Sequence, residues 1–359
     1  MKNIVLCCDG TANEFSDHNT NVVKLYQLLE KDPARQVTYY HPGVGTMEAV
    51  GALTSVARKI TKVLGYVIGY GLEDDVRAAY LFLMRTYSPG DRIFMFGFSR
   101  GAYTVRAVAA LLHMYGLMEG NNEALIPYAL RLQSAISKEG EKADKVFALA
   151  QQFKATFSRP PVPIYFTGLW DTVSSVGWKT NPLKLPYTAD NPDIDVARHA
   201  VSIDERRAFF RNHLWRPKPP NGGPRQLKQV WFPGDHSDVG GGRAEIESAQ
   251  SRIALVWMLR EAIAAGLLVD ETAAATLAAS SGTPADPPRL HDKLRENALW
   301  WILEFLPFPH YDYAIAKTSW RMNRARRRTI PPGSFIHSSA YARGPDYVRL
   351  LPPNGISTD

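Results

Sequence analysis

The sequence predicts an α/β protein, and three observations carry that expectation. Short apolar runs alternate with stretches of helical periodicity, as in a sheet with helices on both faces. The runs end in polar turns of small residues, which gathers chemistry-bearing side chains at one edge. One run, residues 93–97, passes into Gly97-Phe98-Ser99-Arg100-Gly101 and then directly into a helical pattern. A serine on so sharp a strand-to-helix turn stands above the sheet edge, with glycines where a Cβ would collide with neighbouring backbone.

Taken in order, residues 4–8 form a first strand ending in Asp9-Gly10-Thr11. Residues 21–31 read as a helix. Residues 37–41 form a second strand, followed by Gly43-Val44-Gly45-Thr46. Residues 51–72 are apolar but contain Arg58, Lys59 and Lys62, which suits an amphipathic helix better than a membrane span. A helix is expected over 71–87, then the strand at 93–97 and the helix after the serine at 100–117. Residues 119–157 read as two polar helices at a place where a cap is commonly inserted. Residues 163–168 form the next strand, leading to Asp171-Thr172, and residues 229–232 another, leading to Gly234-Asp235-His236-Ser237-Asp238-Val239-Gly240-Gly241-Gly242. The connections are long enough for right-handed crossovers. An Ala/Ser/Thr/Pro-rich stretch at 272–288 reads as a surface linker or a frayed helix end. The expected organisation is a core over 1–270, with a helical insertion at about 119–157, and a C-terminal extension over 271–359 packing on it.

A chain of 359 residues, 45% of them hydrophobic, can bury a sizeable core, and 21% charged residues exclude a disordered class. The formal charge of +7 suits an anionic membrane surface, nucleic acid or simple solubility. Cys7 and Cys8 are adjacent strand residues pointing to opposite faces, so they cannot pair with each other, and synthesis in a reducing cytoplasm is expected. The N-terminal run lacks the form of a signal peptide.

A serine hydroxyl becomes a nucleophile when an oriented base takes its proton and donors receive the developing oxyanion. His236, at a strand end and opening a glycine-rich turn, is the leading base. His337 is the runner-up because it follows a short β-like run, Phe335-Ile336. His41, His199, His213 and His310 read as solvated or structural, or precede the serine in the chain. Asp171 is the leading acid, orienting the imidazole and stabilising the imidazolium; an Asx-turn is the alternative role. Asp235 and Asp238 are the other acids near His236. The oxyanion donors expected are the N–H of Arg100 and that of Gly10 or Thr11 in the turn after the first strand. Asp9 in that turn is expected to bond backbone or Asn13, or to touch a catalytic partner. Asp9-Gly10-Thr11 also matches the end of the phosphatase pattern D-x-D-G-T, but Cys7 stands where that nucleophilic aspartate belongs. His236, Asp235, Asp238 and Asp9 have no spacing specific for a metal, and the serine chemistry needs no cofactor.

Five blocks narrow the reading further: Cys8-Asp9-Gly10-Thr11-Ala12-Asn13; Tyr40-His41-Pro42-Gly43-Val44-Gly45-Thr46; residues 90–102 around Ser99; Leu169-Trp170-Asp171-Thr172-Val173; and residues 230–242 around His236. A weaker sixth is Ile203-Asp204-Glu205-Arg206-Arg207. In this set and order the chain resembles an α/β-hydrolase domain family that includes the first class of type VI secretion lipase effectors. The resemblance implies an α/β-hydrolase-like, mostly parallel sheet flanked by helices with a helical cap insertion. It implies carboxylic-ester hydrolysis, with phospholipid the substrate of the secreted effectors, and places Ser99 at the nucleophile position with Asp171 and His236 at positions that look like its partners. Export without a cleavable signal peptide fits the same resemblance. Asp235 stands where a small apolar residue is commoner, and a carboxylate there is expected to raise the pKa of His236.

The competing functions are a lipase acting at an interface, a soluble esterase for small esters with 119–157 as a lid, and a non-catalytic binding module. Trp300, Trp301, Phe305, Leu306 and Phe308 beside Arg324-Ala325-Arg326-Arg327-Arg328 would suit a peripheral membrane surface. The alternative, favoured by helical spacing, is a C-terminal helix with its aromatics packed inward and its arginines solvated. The arginine run by itself is no nucleic-acid-binding fold, and no nucleic-acid partner is expected.

Overall fold

The computed structural model describes residues 1–10, 18–43, 71–136, 143–173, 177–178, 181–182, 185–216, 222–280, 287–312 and 317–359. Thr11, Asn13 and the amphipathic stretch at 51–70 lie outside these residues. The strands are β1 (Asn3–Cys8), β2 (Gln36–His41), β3 (Arg92–Phe98), β4 (Ile164–Trp170), β5 (Gly177–Trp178), β6 (Asn181–Pro182), β7 (Ile194–Ser202), β8 (Gln226–Phe232), β9 (Pro307–Asp312), β10 (Lys317–Met322), β11 (Phe335–His337) and β12 (Ile356–Thr358). The helices are α1 (Asn21–Leu28), α2 (Leu72–Thr86), α3 (Arg100–Tyr115), α4 (Ile126–Ile136), α5 (Ala143–Phe157), α6 (His236–Gly240), α7 (Ala249–Ala264), α8 (Glu271–Ser280), α9 (Lys293–Glu296), α10 (Trp300–Glu304), α11 (Ser338–Tyr341) and α12 (Pro345–Val348).

Eight strands form one sheet in the order β12-β11-β8-β7-β4-β3-β1-β2. Every described pairing within it is parallel, so all the carboxyl ends lie along one edge. The fold is an α/β-hydrolase-like parallel sheet flanked by helices. Central strands are buried on both faces, which explains their near-continuous apolar runs. Along β1, Ile4, Leu6 and Cys8 join one core with α2, α3, α4 and α5, whereas Val5 and Cys7 join the other with α1 and α7. The two cysteines therefore serve opposite faces and are both free. The helices at 126–157 are tied into the first core through Ile126, Ala129, Leu130, Ala150 and Phe153.

The structure adds what periodicity did not show. β7 was not expected, because Asp195, Arg198 and His199 interrupt its apolar pattern; Arg198 is accommodated by Glu261 and His199 is buried. Near the C-terminus, β11 and β12 extend the sheet beyond β8. The expected C-terminal helix is instead the short α10 followed by an antiparallel β9–β10 hairpin. No helix among the described residues is long and apolar enough to cross a membrane.

Candidate functional site

Ser99 follows β3 with φ 59°, a left-handed conformation that costs a non-glycine residue energy and persists only when its surroundings enforce it. Its N–H donates to the Trp170 carbonyl at 3.0 Å, and α3 begins at the next residue. The flanking glycines are steric necessities. A Cβ on Gly97 would lie 2.7 Å from Ala102 Cα, and one on Gly101 would run into the Cys8 carbonyl oxygen and lie 2.6 Å from the Asp9 carbonyl carbon. The first strand's turn and the serine turn thus touch backbone to backbone.

Asp171 ends the neighbouring strand, β4, also at positive φ, with its N–H on the Ala200 carbonyl at 2.7 Å. His236 opens α6 after β8. Its Nε2 lies 2.8 Å from Ser99 Oγ and its Nδ1 2.5 Å from Asp171 Oδ2. The structure therefore brings Ser99, His236 and Asp171 into one hydrogen-bonded chain. Phe98 and Phe210 pack against the imidazole, with ring centroids 4.5 Å and 4.8 Å away. Burial pushes the His236 pKa below its ordinary 6.5, against the opposing pull of Asp171. Burial pushes the Asp171 carboxyl up, but the Arg328 charge and the His236 bond outweigh it and hold the group well below the usual carboxylate range.

His337, the runner-up base, stacks on Phe232 and bonds Ser339 Oγ through Nδ1. His199 is buried, with Nε2 accepting the Thr172 N–H at 3.2 Å, and so braces the turn after Asp171. Asp235 corrects an expectation. Its carboxylate caps α6 by accepting the N–H groups of Ser237 and Asp238, and it pairs with Arg243 at 2.7 Å. Those donors turn it toward Arg243 and the α6 N-terminus, and burial sets the net shift of the His236 pKa downward, not upward. Asp238 is taken by His291 and by the Asp235 N–H. Asp9 bonds the Gly10 N–H at 2.6 Å, Thr20 Oγ1 at 2.6 Å and Tyr40 Oη at 2.9 Å. Asp9 thus bonds backbone, as expected, but in doing so it occupies the very N–H that was a suggested oxyanion donor. Arg100 opens α3, which puts its N–H at the positive end of a helix beside Ser99.

Three features escaped sequence reasoning. Arg328, read as one of a solvated run, has its side chain buried and grips Asp171. Ser202, at the end of β7, donates its N–H to Asp171 Oδ1 at 2.9 Å. Glu205 and Arg207 form a buried ion pair beside His236, with the His236 N–H on Glu205 at 3.3 Å and the Arg207 guanidinium over the Phe210 ring at 3.5 Å. Burial pushes Glu205 up, and Arg207 overrides it to hold the group low. The weak block at 203–207 was the available signal for this pair. A cavity between α7 and α8, lined by Glu30, Arg35 and Arg260, contains none of these residues.

A model of the catalytic domain of Tle1-like phospholipase effectors of the type VI secretion system matches residues 2–261. The chain belongs to this family. The match to the Tle1-like catalytic domain covers Ser99, Asp171 and His236 and ends within α7, so Arg328 lies beyond it. An uncharacterised protein of Saccharomyces cerevisiae, YEL023C, is 38% identical over 228 residues, which is 61% of this chain and 33% of that protein. An uncharacterised Pseudomonas aeruginosa crystal structure aligns with TM-score 0.44 and 20% identity, over 84% of this chain and 51% of that one. A Tle1 effector bound to the VgrG spike aligns with TM-score 0.32 and 18% identity, over 67% of this chain and 51% of that one. The chain spans about a third of the yeast relative and about half of each solved chain.

Proposed function

We propose that the protein hydrolyses carboxylic esters of lipids, with phospholipid the leading class, through Ser99, His236 and Asp171 and an acyl-enzyme. The observation carrying this reading is the continuous chain Ser99 Oγ, His236 Nε2, His236 Nδ1 and Asp171 Oδ2, with links of 2.8 Å and 2.5 Å. Membership of the Tle1-like family supports the lipid class.

In this reading Ser99 Oγ attacks the ester carbonyl carbon while His236 Nε2 takes its proton. The oxyanion is met by the Arg100 N–H at the start of α3, and Thr11 in the turn after β1 is the remaining candidate for a second donor, since the Gly10 N–H is held by Asp9 Oδ1. Collapse breaks the carbon–oxygen bond of the alcohol, which leaves with the proton from His236. Water then attacks the acyl-Ser99 ester with His236 again as base, releasing the carboxylic acid. Asp171 keeps Nδ1 protonated and stabilises the imidazolium throughout.

Lipid presentation fits a surface beside the site. Leu299, Ile302, Phe305, Trp320 and Met322 are exposed, and Lys317, Arg321, Arg324 and Arg326 are exposed among them. This corrects the expectation that the aromatic run packs inward; among its members, Phe308 is buried. Phe210 links the face to the site, touching His236 on one side and Trp300 at 5.5 Å on the other. Apolar residues flanked by cations suit an anionic bilayer. The test is fatty-acid release from anionic phospholipid vesicles by the wild type and by Ser99→Ala. Release that Ser99→Ala abolishes is expected. Release that survives Ser99→Ala refutes the mechanism, and turnover of short soluble esters without any vesicle activity refutes the substrate.

A further inference from the structure

We propose that Arg328 is a positioning residue for the base: its guanidinium locks Asp171 onto His236 and balances the carboxylate charge there. This rests on the proposed Ser99–His236–Asp171 reading and extends the site to a segment outside the matched catalytic domain.

Asp171 is wholly buried and has two oxygens to satisfy. Oδ1 accepts Ser202 N–H at 2.9 Å and Arg328 Nη1 at 2.5 Å; Oδ2 accepts Arg328 Nη2 at 3.1 Å and faces His236 Nδ1 at 2.5 Å. The planar fork of arginine matches both oxygens at once, which fixes the carboxylate plane as a point charge could not. The fork is itself fixed. Nη1 also reaches Ser202 Oγ at 2.7 Å and Nη2 the Phe210 carbonyl at 2.5 Å.

The segment that delivers Arg328 is anchored to the site. Glu304, fully buried, accepts the N–H groups of Ala208 and Ala325 and the amide of Asn323, and Arg206 donates to the Ala325 carbonyl at 2.9 Å. Arg324 and Ala325, both at positive φ, reverse the chain so that residues 326–328 return to the sheet edge. Arg324, Arg326 and Arg327 are exposed, whereas the Arg328 side chain turns inward to Asp171.

The charges around His236 are Asp171 on β4's end, Glu205 and Arg207 after β7, and Arg328. Two anions face two cations, His199 is neutral under burial, and Asp235 is turned to Arg243. Without Arg328, the unbalanced Asp171 would favour protonation of His236 and remove the base.

The test is steady-state turnover of a short soluble ester, 4-nitrophenyl butyrate, across pH. Arg328→Ala is expected to lower kcat by about 100-fold at little change in KM, as misplacement of a catalytic group does, and to move the acid limb to higher pH. Arg328→Lys, which keeps charge without the fork, should restore the limb but only part of kcat. Guanidinium ion added to Arg328→Ala should recover turnover. In an Asp171→Ala background, adding Arg328→Ala should cost no further activity. Equal losses in both backgrounds, or an unmoved acid limb in Arg328→Ala, overturn the proposal; if that variant does not fold, Arg328→Lys in the two backgrounds decides by the same comparison. A wild type without Ser99-dependent turnover would instead sink the underlying hydrolase reading.

Discussion

At the scale of single residues, the proposed base sits in a setting that keeps it neutral. Burial lowers the His236 pKa from 6.5, and a general base must be unprotonated to act. The kcat/KM profile is therefore expected to be flat through neutrality and to fall on the acid side with a midpoint below 6.5. A midpoint above that value would contradict the setting described. Asp171→Asn should lower kcat by about 10⁴-fold, because an amide would hold the wrong imidazole tautomer. Asp235→Asn is expected to leave the acid limb where it is, since that carboxylate faces Arg243 and the α6 N-terminus. The orientation of Asp235 was not legible in the sequence: adjacency to His236 says nothing about which side of a helix N-cap a carboxylate serves.

Two contacts between elements hold the proposed machinery in register. The first is the contact of Gly101 with the Cys8 and Asp9 carbonyls, where β1 meets α3. Gly101→Ala would force these apart and displace Ser99, so turnover should fall by about 100-fold while the far-ultraviolet dichroism is kept. The second is Glu304, which joins α10 to the turn after β7 and to the chain leading to Arg328. Glu304→Ala leaves buried donors unmet and is expected to cost about 3 kcal/mol in denaturant unfolding. Activity should fall with it, because the same segment carries Arg328. The strand ends at Ser99, Asp171 and His236 were legible because apolar runs stop at polar turns. β7 was not, because its polar residues find partners only in the folded sheet: Glu261 for Arg198, and the Thr172 N–H for His199. Arg328 was not, because a run of arginines looks alike until a chain reversal at Arg324 and Ala325 chooses one of them.

For the whole molecule, a parallel sheet places three distant residues on one edge, and a C-terminal segment folds back to meet them. That segment also carries the exposed apolar and cationic face, so site and surface are joined through Phe210 and Trp300. The combined variant Ile302→Ser, Phe305→Ser, Trp320→Ser is expected to lose flotation with anionic vesicles and at least about 10-fold of vesicle turnover, since withdrawing even one such side chain from an apolar phase costs about 1.5–3 kcal/mol. Its turnover of a soluble short-chain ester should stay unchanged; a parallel loss there would mean that the face serves folding and not lipid. The central claim, that Ser99 is a nucleophile activated by His236, is tested most directly by a fluorophosphonate probe with the labelled peptide identified by mass spectrometry. Labelling confined to Ser99, and lost in both Ser99→Ala and His236→Ala, is the predicted result. An unlabelled wild type, or labelling that persists in Ser99→Ala, would contradict it.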